Sequence, residues 1–172
     1  ETRIEAGLHA FHNYRNKEAR KGIDSTPVKA RDDKLEAGDT VLVPYLDHLM
    51  SSFWVACFQK AGYKAHLLGA DEKDLNTGYQ YTNGGECMPL ISLIGSVIET
   101  TKAQNLKPEQ TFFYLPTVCM ACNFPQFPIL SDLALSKAGL GGLKIGLINS
   151  MAPGEILGPA LSMKILEANI IG

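Results

Sequence analysis

Apolar residues in this chain gather into short runs of four to five, separated by longer stretches with helical spacing, and this pattern begins at Thr40. Thr40-Val41-Leu42-Val43, residues 64–68, Thr111-Phe112-Phe113-Tyr114-Leu115 and residues 144–148 are such runs. Each run predicts a strand, and the continuous β-branched and aromatic run at 111–115 predicts one buried on both faces. Pro116 is expected to end the third strand. Between the strands lie helices. One is predicted from about His48 to Ala61, with Asp47 as N-cap and Gly62 as closure. Its Phe53, Trp54, Cys57 and Phe58 fall near one face, so Cys57 is expected as a small apolar residue packed on the sheet. A second runs from Pro89 to about Gln104 with Leu90, Leu93, Ile94, Val97 and Ile98 inward. A third spans about Gln126 to Ala138 and ends at Gly139; a last one opens near Pro153 and runs through Leu157, Leu161, Ile165 and Leu166.

Strands alternating with helices through short connections predict right-handed crossovers and a parallel sheet. The fold expected is α/β, Rossmann-like or flavodoxin-like, with about four strands and helices on both faces. Strand order is left open by the pattern. Residues 69–78 read as a polar loop. Residues 1–37 read as a flank: a polar helix from Ala6 to Ala19, a turn at Asp24-Ser25-Thr26-Pro27, then linker. His9 and His12 share a face of that helix, without a third ligand near in sequence. The α/β domain is thus placed at 38–172. The chain opens on Glu1 and stops at Gly172, which suggests a piece of a longer protein.

Composition changes this picture little. The chain has 172 residues, 45% hydrophobic and 20% charged, at a net charge of −2. Those are values of an ordinary globular domain. Nothing in bulk charge points to nucleic acid, and no apolar run is long enough to cross a bilayer. The distribution of charge is more telling. Residues 1–36 hold 15 of the 34 charged side chains and all four arginines. Any anion held by the α/β region must therefore rely on lysine, backbone N–H groups or helix ends.

The candidate chemistry is thiol chemistry. The four cysteines are Cys57, Cys87, Cys119 and Cys122. A chain of this size does not need disulfides, so a reducing, cytoplasmic compartment is expected. Cys119 and Cys122 follow the third strand, where open α/β sheets place their sites. Gly84 and Gly85 precede Glu86-Cys87-Met88-Pro89, which sets Cys87 at or just before a helix start. There the helix-end partial charge favours a thiolate, the form that binds metal. Cys119-x-x-Cys122 alone fits a dithiol pair, half of a zinc site or two ligands of an iron–sulfur cluster. The thioredoxin-like Trp-Cys-Gly-Pro lead is absent, and so is a second cysteine or histidine knuckle. Two buried cysteines without function remain a fourth reading. In a parallel sheet both cysteine loops fall on one edge, so Cys87, Cys119 and Cys122 are expected to converge.

One set of motifs is more specific. Gly84-Gly85-Glu86-Cys87-Met88-Pro89, Gly95, Tyr114-Leu115-Pro116-Thr117 and Cys122-Asn123-Phe124-Pro125-Gln126-Phe127 together resemble the 2-hydroxyacyl-CoA dehydratase superfamily, over about residues 40–150. The nearest branch is that of the large activase-related proteins. The family's Gly-x-Glu-Cys-x-Pro segment is matched well. In its Gly-Pro-Cys-Arg-Phe-Gly-Gln-Tyr-like segment the cysteine, Phe and Gln positions remain. The Gly-Pro lead and the Gly are changed, and Asn123 stands for the Arg, so this segment offers no guanidinium clamp.

The resemblance implies Rossmann-like domains paired around a cysteine-bound cluster, a 4Fe-4S centre. True dehydratases inject one electron into a 2-hydroxyacyl-CoA thioester, which then loses its hydroxyl. The implied partners are an ATPase (activase) domain or subunit and a second Rossmann-like dehydratase domain, without nucleic acid or membrane. The implied ligands are Cys87 and Cys122, with Cys119 as a further thiolate nearby and Gly84 and Gly85 shaping the turn. Glu86 is a candidate for a catalytic acid. His48 and His66 are read as loop and strand-end residues. The fragment alone is expected to be inactive. The competing expectations are a non-catalytic Rossmann-like binding or scaffolding domain, and a structural zinc site.

Overall fold

The computed structural model describes residues 33–83, 85–117 and 124–149, with Ile4, Leu8, Arg31, Ala160, Met163, Lys164 and Glu167 as isolated positions. Four strands form one all-parallel sheet: β1 (Thr40–Val43), β2 (Lys64–Leu67), β3 (Thr111–Thr117) and β4 (Lys144–Asn149). Their order is β2-β1-β3-β4. The strand order reverses between β1 and β3, which makes their carboxyl ends the topological switch point of the sheet. The fold is therefore α/β and flavodoxin-like, as the alternation of apolar runs predicts.

Helices cover both faces because side chains along each strand alternate. Val41, Val43, Phe112 and Tyr114 point to one face and pack with Trp54 and Phe58 of helix α1 (His48–Lys60). Leu42, Phe113, Leu115 and Ile145 point to the other. There they meet Leu90, Leu93, Ile94, Val97 and Ile98 of a long helix, Met88–Ala103, and Ala134 and Leu135 of a shorter one, Phe127–Lys137. All of these side chains are buried, so each face contributes an independent layer of core.

Three expectations need correction. Residues 69–78 are not a loop. They contain the start of helix α2 (Glu72–Tyr81), opened by a capping box in which Asp71 accepts from the Asp74 N–H at 2.8 Å. The long helix Met88–Ala103 is accordingly α3, and Phe127–Lys137 is α4. Pro116 does not end β3, which continues to Thr117. Beyond Phe113 no β1 residue is registered with β3, so among the described residues β3 is paired on one side only there. A residue without an N–H is tolerated in such a position. Finally, Phe53 is 37% exposed rather than turned inward with Trp54 and Phe58.

The stretch read as linker is bound to the domain. The Asp33 N–H donates to the Ile145 carbonyl at 3.0 Å, and the Ile145 N–H donates to the Asp33 carboxylate at 2.9 Å. These bonds cover the outer edge of β4. Arg31 bridges Asp33 and Asp132, at 2.9 and 3.0 Å, and donates to the Gly141 carbonyl. Lys144 joins Glu36 and Asp39 at the foot of the same strand. The helix 6–19, with His9 and His12, lies outside the described residues apart from Leu8, which is helical. Of the last helix, Ala160, Met163, Lys164 and Glu167 are described and helical.

Candidate functional site at the carboxyl edge of the sheet

The edge where β1 and β3 end is built from three chain segments. The first is the β1–α1 connection. Asp47 caps α1 as its pattern predicts, its Oδ1 accepting from the N–H groups of Leu49 and Met50 at 3.0 and 2.9 Å. The Leu46 N–H donates to the Ser51 hydroxyl at 3.0 Å, so the turn is fixed at both ends. Tyr45 and Leu46 stay 40% and 43% exposed. Leu49 and Phe53, one turn apart on α1, are 51% and 37% exposed.

The second segment is the start of α3. Cys87 is its N-cap residue, with extended backbone and no side-chain capping bond. Pro89 stands in the first turn, where a missing N–H costs nothing. Helix α3 leads through residues 104–110 into the foot of β3. Sixteen helical residues rise about 24 Å, and the seven of β3 about 23 Å. The Cys87 end of α3 therefore reaches the carboxyl end of β3. The Cys87 thiol is free, half-buried, and packed against the larger core layer. Phe124, at the far side of the third segment, packs against that same layer and meets Phe127 as a tilted pair with ring centroids 4.6 Å apart.

That third segment is the β3–α4 connection. Cys119 and Cys122 belong to it and lie outside the described residues, as does Gly84. β3 is described to Thr117 and the chain again from Phe124. Compared with family models, with curated proteins and with solved structures, the chain matches none. Among the described residues, no three His, Cys, Asp or Glu side chains come together as metal ligands. Cys87 alone of the expected ligand set is described. It has the chemistry such a ligand needs: a free thiol, partly accessible, at a helix start.

The other residues sort plainly. Glu86 is engaged locally, both carboxylate oxygens accepting from the Asn83 N–H at 3.1 Å. That bond closes the turn ahead of α3. Gly85 has open space where a Cβ would stand, and the turn does not depend on it. His48 is the exposed first residue of α1, and its carbonyl accepts from Ser52. His66 is the third of four residues in β2, close to the strand end. Cys57 sits in α1 against the smaller core layer, its Sγ 3.7 Å from the Lys164 carbonyl, and burial pushes its thiol pKa up. It is a packing residue, as its helical position predicts.

Pattern reading misses the cleft at the far end of β2, where His66, Asp71, Asp74 and Glu99 lie together. Its carboxylates are already used. Glu99 accepts from Lys73 at 2.6 Å and from Thr77 at 2.7 Å, and Asp71 and Asp74 cap α2. The capping box at Asp71 and Asp74 is the sequence signal that places them. Among the described residues no helix is long and apolar enough to cross a membrane.

Proposed function

We propose that this chain is the cluster-bearing, Rossmann-like domain of a 2-hydroxyacyl-CoA dehydratase-type, activase-related system of the cytoplasm. Cys87 and Cys122 would hold a 4Fe-4S cluster, with Cys119 as a further thiolate. Such a cluster would supply low-potential electrons to an acyl-CoA-type substrate, driven by ATP hydrolysis in a partner activase, and a second Rossmann-like domain would close the site. The observation that supports this reading is the position of Cys87. A free, half-buried thiol stands at the start of α3, at the sheet edge where β3 ends two residues before Cys119. The role of this chain's own residues is to bind and orient: α3 fixes Cys87, and the Glu86 bond to Asn83 fixes the turn before it.

The test is anaerobic reconstitution with iron and sulfide. The protein should turn brown, with broad absorption at about 400 nm. Cys87→Ala and Cys122→Ala should lose bound iron and sulfide, whereas Cys57→Ala should not. Equal iron and sulfide in all of these variants would refute the ligand assignment. A second reading, a non-catalytic binding or scaffolding domain, is supported by the exposure of the large apolar side chains Tyr45, Leu46, Leu49 and Phe53 on the β1–α1 connection and the first turns of α1. A colourless protein holding one zinc would instead favour the structural-zinc reading.

A further inference from the structure

A second cleft lies between α4 and the turn that joins α2 to α3, with a volume of about 80 Å³. It is too small for a nucleotide or an intact thioester cofactor and suits a handful of heavy atoms. Its floor is apolar: Ile94, Leu130, Leu133 and Ala134. Leu133 is 53% exposed there. Its rim is polar. Lys137 reaches over it, and its Nζ has one bond among the described residues, to the Asn83 side-chain oxygen at 3.5 Å. That bond is long and its partner neutral, so the ammonium keeps two of its three donors for a ligand. The anion on the rim, Glu86, turns both oxygens to the Asn83 N–H.

We propose that this cleft binds a short aliphatic carboxylate, its oxygens on Lys137 and its alkyl tail on Leu130, Leu133 and Ile94. The assignment follows from the chemistry of the walls. The apolar lining favours an alkyl group, and Lys137 offers its spare donors to an anionic head group on a rim whose own anion, Glu86, accepts from the Asn83 N–H. A cationic head group would meet Lys137 at the rim. A neutral one would gain the floor but not the charge-assisted bond. The proposal does not rest on the iron–sulfur reading, because it uses no cysteine, although its rim includes the Asn83–Glu86 turn that precedes Cys87.

The experiment is a titration of the full chain with butyrate, followed by ¹H–¹⁵N NMR, with butylamine and butanol as probes of the same length. Butyrate should shift the amides of Asn83, Leu133 and Lys137 with a millimolar dissociation constant. Lys137→Met should weaken it by at least about tenfold, as expected for one charge-assisted bond, and Lys137→Arg should restore most of it. Lys137 is exposed, and unchanged thermal unfolding of both variants would show that the fold is kept. The proposal is overturned by absence of any shift with butyrate, by equal or tighter binding of butylamine or butanol, or by butyrate binding that Lys137→Met leaves intact.

Discussion

Gly95 of α3 lies directly against the backbone carbonyl of Asp74 in α2, with no room for a Cβ between them. Gly78 of α2 meets the Ile91 carbonyl of α3 in the same way. The two helices touch through backbone rather than through interlocking side chains, which only glycine permits. Gly95→Ala should therefore force them apart and cost about 1–3 kcal/mol by overpacking. Gly85→Ala, where the added methyl meets open space, should change stability little. Denaturant unfolding of the two variants checks this. Equal midpoints would show that α2 is not held by close approach. Gly95 also belongs to the family resemblance, and its role here is packing.

Lys144 and Asp39 form the anchor at the foot of β4. The Nζ lies 3.0 Å from Asp39, whose side chain is 4% exposed, and 2.7 Å from Glu36. Lys144→Met leaves the Asp39 carboxylate buried without its cation, at a cost of about 3 kcal/mol, the lower end for orphaning a buried charge. Burial pulls the Lys144 pKa down, but its hydrogen bonds to Glu36 and Asp39 outweigh that, so the net direction is up. The stabilisation is thus complete below about pH 10.4, the unfolded value. It is lost only as pH rises through the higher folded value. Unfolding midpoints of the parent and Lys144→Met should differ by a constant amount from pH 6 to 9, and converge in strong alkali.

Strands β1 and β3 were legible because Thr40–Val43 and residues 111–115 are buried on both faces, so nothing competes with burial. Helix α3 was legible because Leu90, Leu93, Ile94, Val97 and Ile98 keep helical spacing. Helix α2 was not. Its sequence Glu72-Lys73-Asp74-Leu75-Asn76-Thr77-Gly78 carries almost no apolar stripe, since it is held by glycine contacts and caps. Strand order lies in long-range pairing, such as Leu42 with both His66 and Phe113, that no local pattern encodes. At the site, Cys87 was placed correctly by Pro89 and the run behind it. The tie between Asp33 and Ile145 spans 112 positions, and no spacing rule reaches that far.

Asp74 carries a buried carboxyl in α2, 6% exposed. Burial raises its pKa above the ordinary value, and the backbone bond from Asp71 opposes that only in part; Asp71 and Glu99 add repulsion. Lys73 and His66 also line this cleft, and Ser96 lies beside the carboxyl. A carboxyl whose folded pKa is raised favours the fold when protonated and disfavours it when ionised. Asp74→Asn keeps an oxygen to accept from the Asp71 N–H and removes the charge. It should raise the unfolding midpoint at pH 7, and the advantage should vanish below about pH 4, where the parent residue is protonated in both states. A variant less stable at pH 7 would show that the charge itself holds the cap.

Tyr114 is fully buried between Trp54 and Phe58, with ring centroids 5.1 and 5.3 Å away and edge-to-face angles of 69° and 72°. Its hydroxyl has no hydrogen-bond partner among the described residues. Burial drives its pKa far up, so it stays neutral at any working pH. Such an orphaned hydroxyl costs about 1–3 kcal/mol of desolvation, while the ring contacts contribute about 0.5–1.5 kcal/mol each. Tyr114→Phe keeps the ring and removes the orphan, so the protein should gain about 1 kcal/mol. Tyr114→Leu loses both ring contacts and should lose stability instead. Chemical denaturation of the pair separates the two terms. A destabilised Tyr114→Phe would mean that the hydroxyl is satisfied from outside the described residues, by water or by another part of the chain.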